Sequence, residues 1–366
     1  MGLYIPFVRF EENGSKKENT NKPRINKNAM YIEALLFVLG LVFLVKGSDV
    51  FVHYAGELAK KFGVSEFIIG LTVVALGTSI PELASSIVAS LRGNPGLIIG
   101  NVIGSNIANI GLVIGVSAIL AVIITKEDML KRDGYIMLFS FVVLALLMID
   151  GSIGFVDAII LLVLYFAYTM FLFENTDDPE VKRHFGEFFT YFLRLEYVTA
   201  INRQLKKSKN EERKKAIQGI YKDIALLVVG GICIVIGAKF LVQESIFFAT
   251  LLGVSDTVIG LSIVAIGTSL PELSVTIAAV RKKLGDMAIG NILGSNVANA
   301  LLVTGAAGIV SPIAIDKTSL MMSLPAMFLF TILLLIFIRT DWKVNKREGL
   351  LFLVLYVMFI AMLFLR

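Results

Sequence analysis

The chain has 366 residues, of which 56% are hydrophobic, and its mean hydropathy is +0.81. Soluble domains are about 45–50% apolar, so this composition excludes an ordinary soluble protein and indicates a polytopic membrane protein. The single cysteine, Cys233, excludes a disulfide framework, and the two histidines form no zinc motif. The formal net charge of +5 reflects basic loops between apolar segments, so we expect no nucleic-acid partner.

Residues 1–29 are polar and lack the periodicity of a helix. Such a segment cannot bury enough apolar surface to become ordered, which predicts a disordered N-terminal tail. From Tyr31 onward the chain contains ten apolar segments, each near the length of about 20 residues that a membrane-spanning helix needs. Numbered one to ten, the predicted spans are 31–59, 65–91, 96–124, 134–149, 154–173, 222–248, 255–280, 286–310, 318–338 and 347–365.

The ten spans form two sets of five, at residues 30–173 and 222–366, joined by a loop at 174–221. The loop carries apolar residues at helical spacing, followed by a basic stretch. These apolar residues are Phe185, Phe188, Phe189, Phe192 and Leu195. The pattern is typical of a helix on the inner membrane surface, and a mobile charged linker is the alternative.

Loop charge predicts the orientation. Loops after odd-numbered spans, including the central loop, carry more than twenty lysines and arginines, whereas loops after even-numbered spans hold only Arg92 and Lys317. By the positive-inside rule the central loop is cytoplasmic and both termini are outside. The basic residues of the N-terminal tail stand against this assignment.

The chain contains an internal duplication. Residues 62–116 and 252–306 agree without gaps at 27 of 55 positions. The sequence Gly-Thr-Ser-Ile-Pro-Glu at 77–82 recurs as Gly-Thr-Ser-Leu-Pro-Glu at 267–272. Equivalent points of the two copies are five spans apart, an odd number, so the second copy crosses the membrane upside down. Inverted repeats are typical of alternating-access transporters, whose binding sites lie near the membrane midplane.

Each copy places a carboxylate inside a span, at Glu82 and Glu272. An ionised side chain at the membrane centre costs about 2.5–3.5 kcal/mol on insertion scales. Neither span carries a lysine or arginine near its motif, so a bound cation or a proton must compensate the charge. Two other intramembrane charges, Lys46 and Asp49, are three residues apart, and we expect them to pair with each other outside the site.

The residues around the glutamates supply oxygen ligands. Thr78 and Ser79 share the helical face of Glu82, and Pro81 lacks the N–H that would bond to the carbonyl of Gly77. This predicts an unwound segment with free carbonyl groups. Flexible sets of oxygen atoms favour Ca²⁺, whereas transition metals would require His or Cys. Alone, each motif is more often a packing feature or a kink; its repetition points to a cation site.

A second repeated block follows one span later. Ser105 and Asn109 lie four residues apart on one helical face, as do Ser295 and Asn299. Their side chains offer neutral oxygen atoms. The glycine spacing at 100/104 and 290/294 predicts close approach of neighbouring backbones.

These residues resemble the two α-repeats of the cation/Ca²⁺ exchanger superfamily, in its prokaryotic sodium/calcium exchanger branch. The doubled Gly-Thr-Ser-x-Pro-Glu carries the resemblance, since the proton-coupled branch usually shows Gly-Asn before its glutamate. The resemblance implies an all-α polytopic fold of ten transmembrane helices in two inverted five-helix repeats. It also implies a cation site between spans two, three, seven and eight. The ligand positions are Ala75, Thr78, Ser79, Glu82, Ser105, Asn109, Ala265, Thr268, Ser269, Glu272, Ser295 and Asn299.

The sequence therefore predicts a secondary antiporter that exchanges Ca²⁺ for Na⁺. Archaeal relatives can carry Asp at the position of Asn299, which leaves two carboxylates here and leaves the coupling ion open. Ca²⁺/H⁺ exchange through the two glutamates is the nearest alternative, and a passive cation channel is less favoured. We expect no enzymatic activity, no cofactor besides the transported ions Ca²⁺ and Na⁺, a surrounding bilayer, and function as a monomer.

Overall fold

The computed structural model describes residues 27–62, 65–173, 185–196, 220–251 and 265–364. These residues are mostly helical. Six of the described helices are each long and apolar enough to cross a bilayer, and a bent pair of helices adds a seventh candidate span. Many large apolar side chains on these helices face outward, as Leu35, Val156 and Ile336 do. Such an exterior fits contact with lipid rather than with water.

The first half of the described chain contains seven helices. They are α1 (Lys27–Phe62), α2 (Glu66–Thr78), α3 (Ile80–Leu91), α4 (Pro95–Leu120), α5 (Met129–Gly134 continuing into Tyr135–Leu147), α6 (Phe155–Phe173) and α7 (Phe185–Leu193). Two short strands lie between them, β1 (Ile123–Ile124) and β2 (Ser152–Ile153).

The second half repeats this order. Its helices are α8 (Ile220–Leu251), α9 (Ala265–Thr268), α10 (Leu270–Arg281), α11 (Gly285–Val310), α12 (Ser319–Arg339) and α13 (Lys346–Phe364). Its strands are β3 (Ile313–Ala314) and β4 (Lys343–Val344). Residues 252–264, the first part of predicted span seven, lie outside the described residues.

Two helices begin earlier than the sequence predicts. Helix α1 starts at Lys27, within the predicted disordered tail, whose residues 1–26 lie outside the described residues. Helix α5 starts at Met129 rather than at residue 134. The added turn contains Lys131, Arg132 and Asp133. Arg132 Nε donates to Asp133 Oδ2 at 2.9 Å, and paired charges can be buried together.

The apolar core has two parts. The larger part joins α2 through α7 with α11 through α13. The smaller part packs α1 and α8 against each other and against α10. Helices α1 and α8 therefore lie beside the main core.

Glycines bring α1 and α8 into close contact. Gly40 lies against Gly237, and Gly47 lies against Gly230, so the two helices run antiparallel. A Cβ atom on Gly237 would lie 2.5 Å from the backbone nitrogen of Leu44. Only glycine permits this approach. The contact is also symmetric, because Gly230 and Gly237 are the repeat equivalents of Gly40 and Gly47, 190 positions later.

Two antiparallel strand pairs connect the halves. Strand β1 pairs with β4, Ile123 opposite Val344, and β2 pairs with β3, Ile153 opposite Ile313. Strands β1 and β2 flank the single helix α5, so the two pairs lie at opposite ends of the bundle. Strand β3 is the repeat equivalent of β1, and it lies at the end opposite to β1.

The central loop contains the predicted helix. Phe188 and Tyr191 of α7 are buried, and the Phe188 ring lies 5.5 Å from the Phe171 ring of α6. Phe189 and Leu193 are exposed. Helix α7 thus packs one face on the bundle and leaves an apolar edge free, as a helix at a membrane surface would. The basic stretch of the loop lies outside the described residues.

Candidate functional site

Both glutamates stand at helix N-termini in the interior. Glu82 is in the first turn of α3 and Glu272 in the first turn of α10, and both are 0% exposed. One non-helical residue precedes each helix, Ser79 with φ −84° and ψ 3°, and Ser269 with φ −89° and ψ 5°. The unwound segment is thus a single residue, with a bend of 43° between α2 and α3. The positive end of the helix dipole favours a carboxylate at this place.

The helix break between α2 and α3, in the first half of the chain, directly contacts residues of the second half. Ser79 Oγ donates to Glu272 Oε1 at 3.4 Å, and Thr78 Oγ1 lies 3.3 Å from Ser295 Oγ. Ser295 Oγ also donates to the carbonyl of Ala75 at 3.4 Å. The structure therefore brings five of the predicted ligand residues into one interior cluster that spans the two repeats.

The Ala75 carbonyl is already occupied in this conformation. It accepts the Ser79 N–H at 3.0 Å, the Thr78 hydroxyl at 3.2 Å and the Ser295 hydroxyl at 3.4 Å. The free carbonyl groups that the sequence predicts are those of Gly77 and Gly267, and they remain a prediction. The short break keeps the helical bond to Ser79, and two hydroxyls add to it.

Buried oxygen atoms without hydrogen-bond partners concentrate on the predicted site residues. On those residues they are both carboxylate oxygens of Glu82, Oε2 of Glu272, Oγ of Ser105 and Ser269, and Oδ1 of Asn109 and Asn299; further buried oxygens without partners lie elsewhere in the described residues, on Asn106, Ser117, Asp128 and Asp133 among others. Each unpaired buried polar atom costs about 1–3 kcal/mol, which makes the cluster unfavourable unless a ligand supplies positive charge. The described residues contain no lysine or arginine that forms an ion pair with either glutamate.

The chemistry of the cluster suits a hard cation. Its oxygens come from two carboxylates, several hydroxyls and two amides, a donor set that Ca²⁺ and similar ions prefer. The described part of the chain has no group of three or more His, Cys, Asp and Glu residues that could hold a metal. Of the remaining predicted ligands, Thr268 is half-buried, and Ala265 opens α9 but its side chain lies outside the described residues.

Sequence reasoning missed the asparagines that support the site. Asn109 Nδ2 donates to Asn296 Oδ1 at 3.0 Å, and Thr78 Oγ1 donates to Asn291 Oδ1 at 3.2 Å. Both acceptors are fully buried. Asparagine also stands at the equivalent positions 101 and 106 of the first copy, and this repetition could have identified both residues from the sequence.

The helices that carry the two predicted asparagine ligands widen at those residues. A π-helical turn begins at Asn109 in α4 and another at Asn299 in α11. Such turns frequently mark functional sites, because they shift side chains out of the regular α-helical register. The Asn299 carbonyl accepts both the Thr304 N–H, five residues on, and the Thr304 hydroxyl at 3.1 Å.

One of the two predicted glycine contacts is confirmed. Cβ atoms on Gly290 and Gly294 would lie 2.6 Å from the Phe67 carbonyl oxygen and 2.4 Å from that of Leu71. Helix α11 therefore touches the backbone of α2. For the glycines at 100 and 104, the described residues place no atom within 4 Å of such a Cβ.

The predicted Lys46–Asp49 pair does not form within the described residues. Lys46 is on the exposed face of α1, while the Asp49 carbonyl accepts from Lys282 Nζ at 2.8 Å. Close by, Ser48 Oγ of α1 donates to Ser274 Oγ of α10 at 2.7 Å. The repeat-equivalent positions, 238 and 84, are both alanine, so this link exists on one side only.

The chain is similar to known membrane proteins over nearly its whole length. A family described as sodium/calcium exchanger protein matches residues 32–174 and 222–365. Sodium/calcium exchanger MaX1 of Methanosarcina acetivorans is 48% identical over 345 residues, which cover 91% of this chain and 99% of that protein. Inner membrane protein YrbG of Escherichia coli is 31% identical over 320 residues, covering 87% and 92%. A structure of the sodium-calcium exchanger NCX_Mj soaked with Na⁺ and Ca²⁺ matches with a TM-score of 0.72 and 33% identity, covering 90% and 98%.

Proposed function

The chain belongs to the sodium/calcium exchanger family, and on that premise we propose that it is a secondary antiporter exchanging Ca²⁺ for Na⁺ across the cell membrane. The observation that carries the proposal is the buried cluster of unpaired oxygens around Glu82 and Glu272. Its two negative charges balance one Ca²⁺ ion. Several Na⁺ ions could neutralise the same charges with help from the hydroxyl and amide oxygens. Protons would need only the carboxylates and would leave the neutral oxygens without a role.

We assign the ions to the predicted ligand set. Its members are Ala75, Thr78, Ser79, Glu82, Ser105, Asn109, Ala265, Thr268, Ser269, Glu272, Ser295 and Asn299. The occupied Ala75 carbonyl suggests how an ion enters. An arriving cation competes with the hydroxyls of Thr78 and Ser295 for that oxygen, and each hydroxyl that turns away can offer its own oxygen to the ion.

The proposed architecture is ten transmembrane helices in two inverted repeats. Two observations support the inversion: α1 and its equivalent α8 run antiparallel, and β1 and its equivalent β3 lie at opposite ends of the bundle. Loop charge then assigns the central loop to the cytoplasm and both termini to the outside. All assigned ligands come from one chain, so a monomer in the bilayer suffices, without a resident cofactor.

Inverted repeats suit alternating access, in which one site opens to either side in turn. Helices α1 and α8 lie outside the main core and contact each other through glycine, so they can move together across it. The one-sided Ser48–Ser274 link holds α1 on α10, which is the part of predicted span seven that leads to a basic loop. We therefore assign this conformation as closed toward the cytoplasm.

The test is uptake of radioactive Ca²⁺ into vesicles that contain the purified protein. A Na⁺ gradient at equal pH should drive uptake, and a pH gradient in Na⁺-free medium should not. Glu82→Gln and Glu272→Gln should abolish uptake while the protein still elutes as a single folded species. Uptake driven by the pH gradient alone would identify a Ca²⁺/H⁺ exchanger, and uptake without any coupling gradient would identify a channel.

A further inference from the structure

Asn291 bridges two parts of the site without belonging to the ligand set. Its Nδ2 lies 3.1 Å from Thr276 Oγ1 on α10, and its Oδ1 accepts from Thr78 Oγ1 at 3.2 Å. All three side chains are at most 1% exposed. A buried chain of hydrogen bonds therefore runs from Thr276 on α10, through Asn291 on α11, to Thr78 at the end of α2.

The first repeat fixes the direction of the asparagine amide. The equivalent residue Asn101 places Nδ2 3.1 Å from the Glu82 carbonyl oxygen and 2.9 Å from Ser86 Oγ. A carbonyl only accepts, so the amide nitrogen of Asn101 must face α3. Ser86 is the equivalent of Thr276. The same direction in the second repeat turns the nitrogen of Asn291 toward Thr276 and leaves its oxygen for Thr78.

The direction of the Asn291 amide determines whether the lone pairs of the Thr78 hydroxyl are available to a cation. The single proton of this hydroxyl has three possible acceptors, namely Asn291 Oδ1 and the Ala75 carbonyl, both at 3.2 Å, and Ser295 Oγ at 3.3 Å. With the proton on the Asn291 side, the lone pairs of Thr78 turn toward the site, and the Ala75 carbonyl loses one of its three donors. If the amide were reversed, its NH₂ group would face the Thr78 oxygen and compete with a cation for the lone pairs.

We propose that Thr276 and Asn291 are positioning residues for the cation site, which orient the Thr78 hydroxyl so that its oxygen and the Ala75 carbonyl can bind one ion together. The inference rests on the proposed cation exchange. It assigns to Thr276 a role that depends on its hydroxyl and not on its methyl group. Serine at the equivalent position 86 fits this role, because only the hydroxyl is common to both repeats.

The test compares Thr276→Val with Thr276→Ser in the vesicle assay and in direct Ca²⁺ binding to the purified protein. Valine keeps the shape and removes the hydroxyl, so the Ca²⁺ concentration for half-maximal uptake should rise about tenfold, the effect of losing one oriented hydrogen bond. The maximal rate should change little, and serine should restore the half-maximal concentration. Ser86→Ala should have a smaller effect, because Asn101 keeps Ser85 Oγ and the Glu82 carbonyl as partners.

Ser90→Ala is the matched control. It removes a buried hydroxyl from α3, where Ser90 Oγ donates to the Ala307 carbonyl at 2.7 Å, away from the ligand set. An unchanged half-maximal concentration in a folded Thr276→Val protein would overturn the positioning role while leaving the exchange intact. An equal rise in Ser90→Ala would do the same. A wild-type protein that neither binds nor transports Ca²⁺ would overturn both this inference and the proposed function.

Discussion

The glycine contact between α1 and α8 yields a prediction with a control one residue away. A Cβ atom on Gly230 would lie 2.9 Å from the backbone nitrogen of Phe51 and 3.0 Å from the carbonyl oxygen of Gly47. A Cβ atom on Gly231 would meet only the Phe51 ring, at 3.4 Å. Gly230→Ala therefore pushes against rigid backbone, whereas Gly231→Ala makes an ordinary contact with a side chain.

The expected difference in the free energy of unfolding between the two variants follows from two opposing effects. Replacing a helical glycine with alanine favours the helix by about 1 kcal/mol in both variants, so this term cancels in the comparison. Forcing an extra methyl group into a tight contact costs about 1–3 kcal/mol, and this term applies only to Gly230→Ala. We expect Gly230→Ala to be less stable than Gly231→Ala by about 1–3 kcal/mol.

The assay is thermal unfolding of the two variants in the same detergent, followed by size-exclusion chromatography with fluorescence detection. Gly230→Ala should lose its monodisperse peak at a clearly lower temperature than Gly231→Ala. Its uptake rate should also fall more, because the proposed transport moves α1 and α8 together. Equal unfolding temperatures for both variants would refute the conclusion that the backbone contact at Gly230 holds the two helices together.

Three further predictions address other features. Arg132→Met leaves Asp133 buried without its ion-pair partner and should destabilise the protein by about 3–5 kcal/mol. Lys131→Met, at a half-buried neighbour, should cost less than about 1 kcal/mol, and similar melting temperatures for the two variants would contradict this. Asn299→Asp adds a third carboxylate, so Ca²⁺ affinity should exceed the wild-type value at high pH and approach it as the pH falls and the new group is protonated. Identical affinities at every pH would exclude that residue from the site. Ser48→Ala removes the hydroxyl that joins α1 to α10 and should speed amide hydrogen exchange in α1 about fivefold, and unchanged exchange would show that the link does not hold the helix.

The duplication made the main features of the site predictable. Comparison of the two copies identified Glu82 and Glu272 as a pair of buried charges, and it selected the hydroxyl and amide residues near them. The structure buries both glutamates and brings Thr78, Ser79 and Ser295 into the same cluster. A repeated polar residue inside an apolar span is informative because lipid and apolar packing both disfavour it.

The unpredicted features depend on contacts between distant parts of the chain. The extension of α5 requires Arg132 and Asp133 to be buried as a pair, whereas the charge of each residue alone suggested a loop. The π-helical turns at Asn109 and Asn299 leave no sequence signal beyond the asparagines themselves. The expected Lys46–Asp49 pair failed because spacing along a helix does not show which of its faces a neighbouring helix will cover.

The short strands have a mechanical consequence. Each strand pair joins a helix–helix connection in one half of the chain to one in the other half, and the two pairs lie at the two ends of the bundle. In the described part of the chain, the helices adjacent to these strands are α4, α5, α6, α11, α12 and α13. Helices α1 and α8 are not adjacent to any of the four strands. The main core is thus joined by strands at both ends, whereas α1 and α8 lie beside that core with no strand attached. Thermal motion along the membrane normal should therefore concentrate in these two helices.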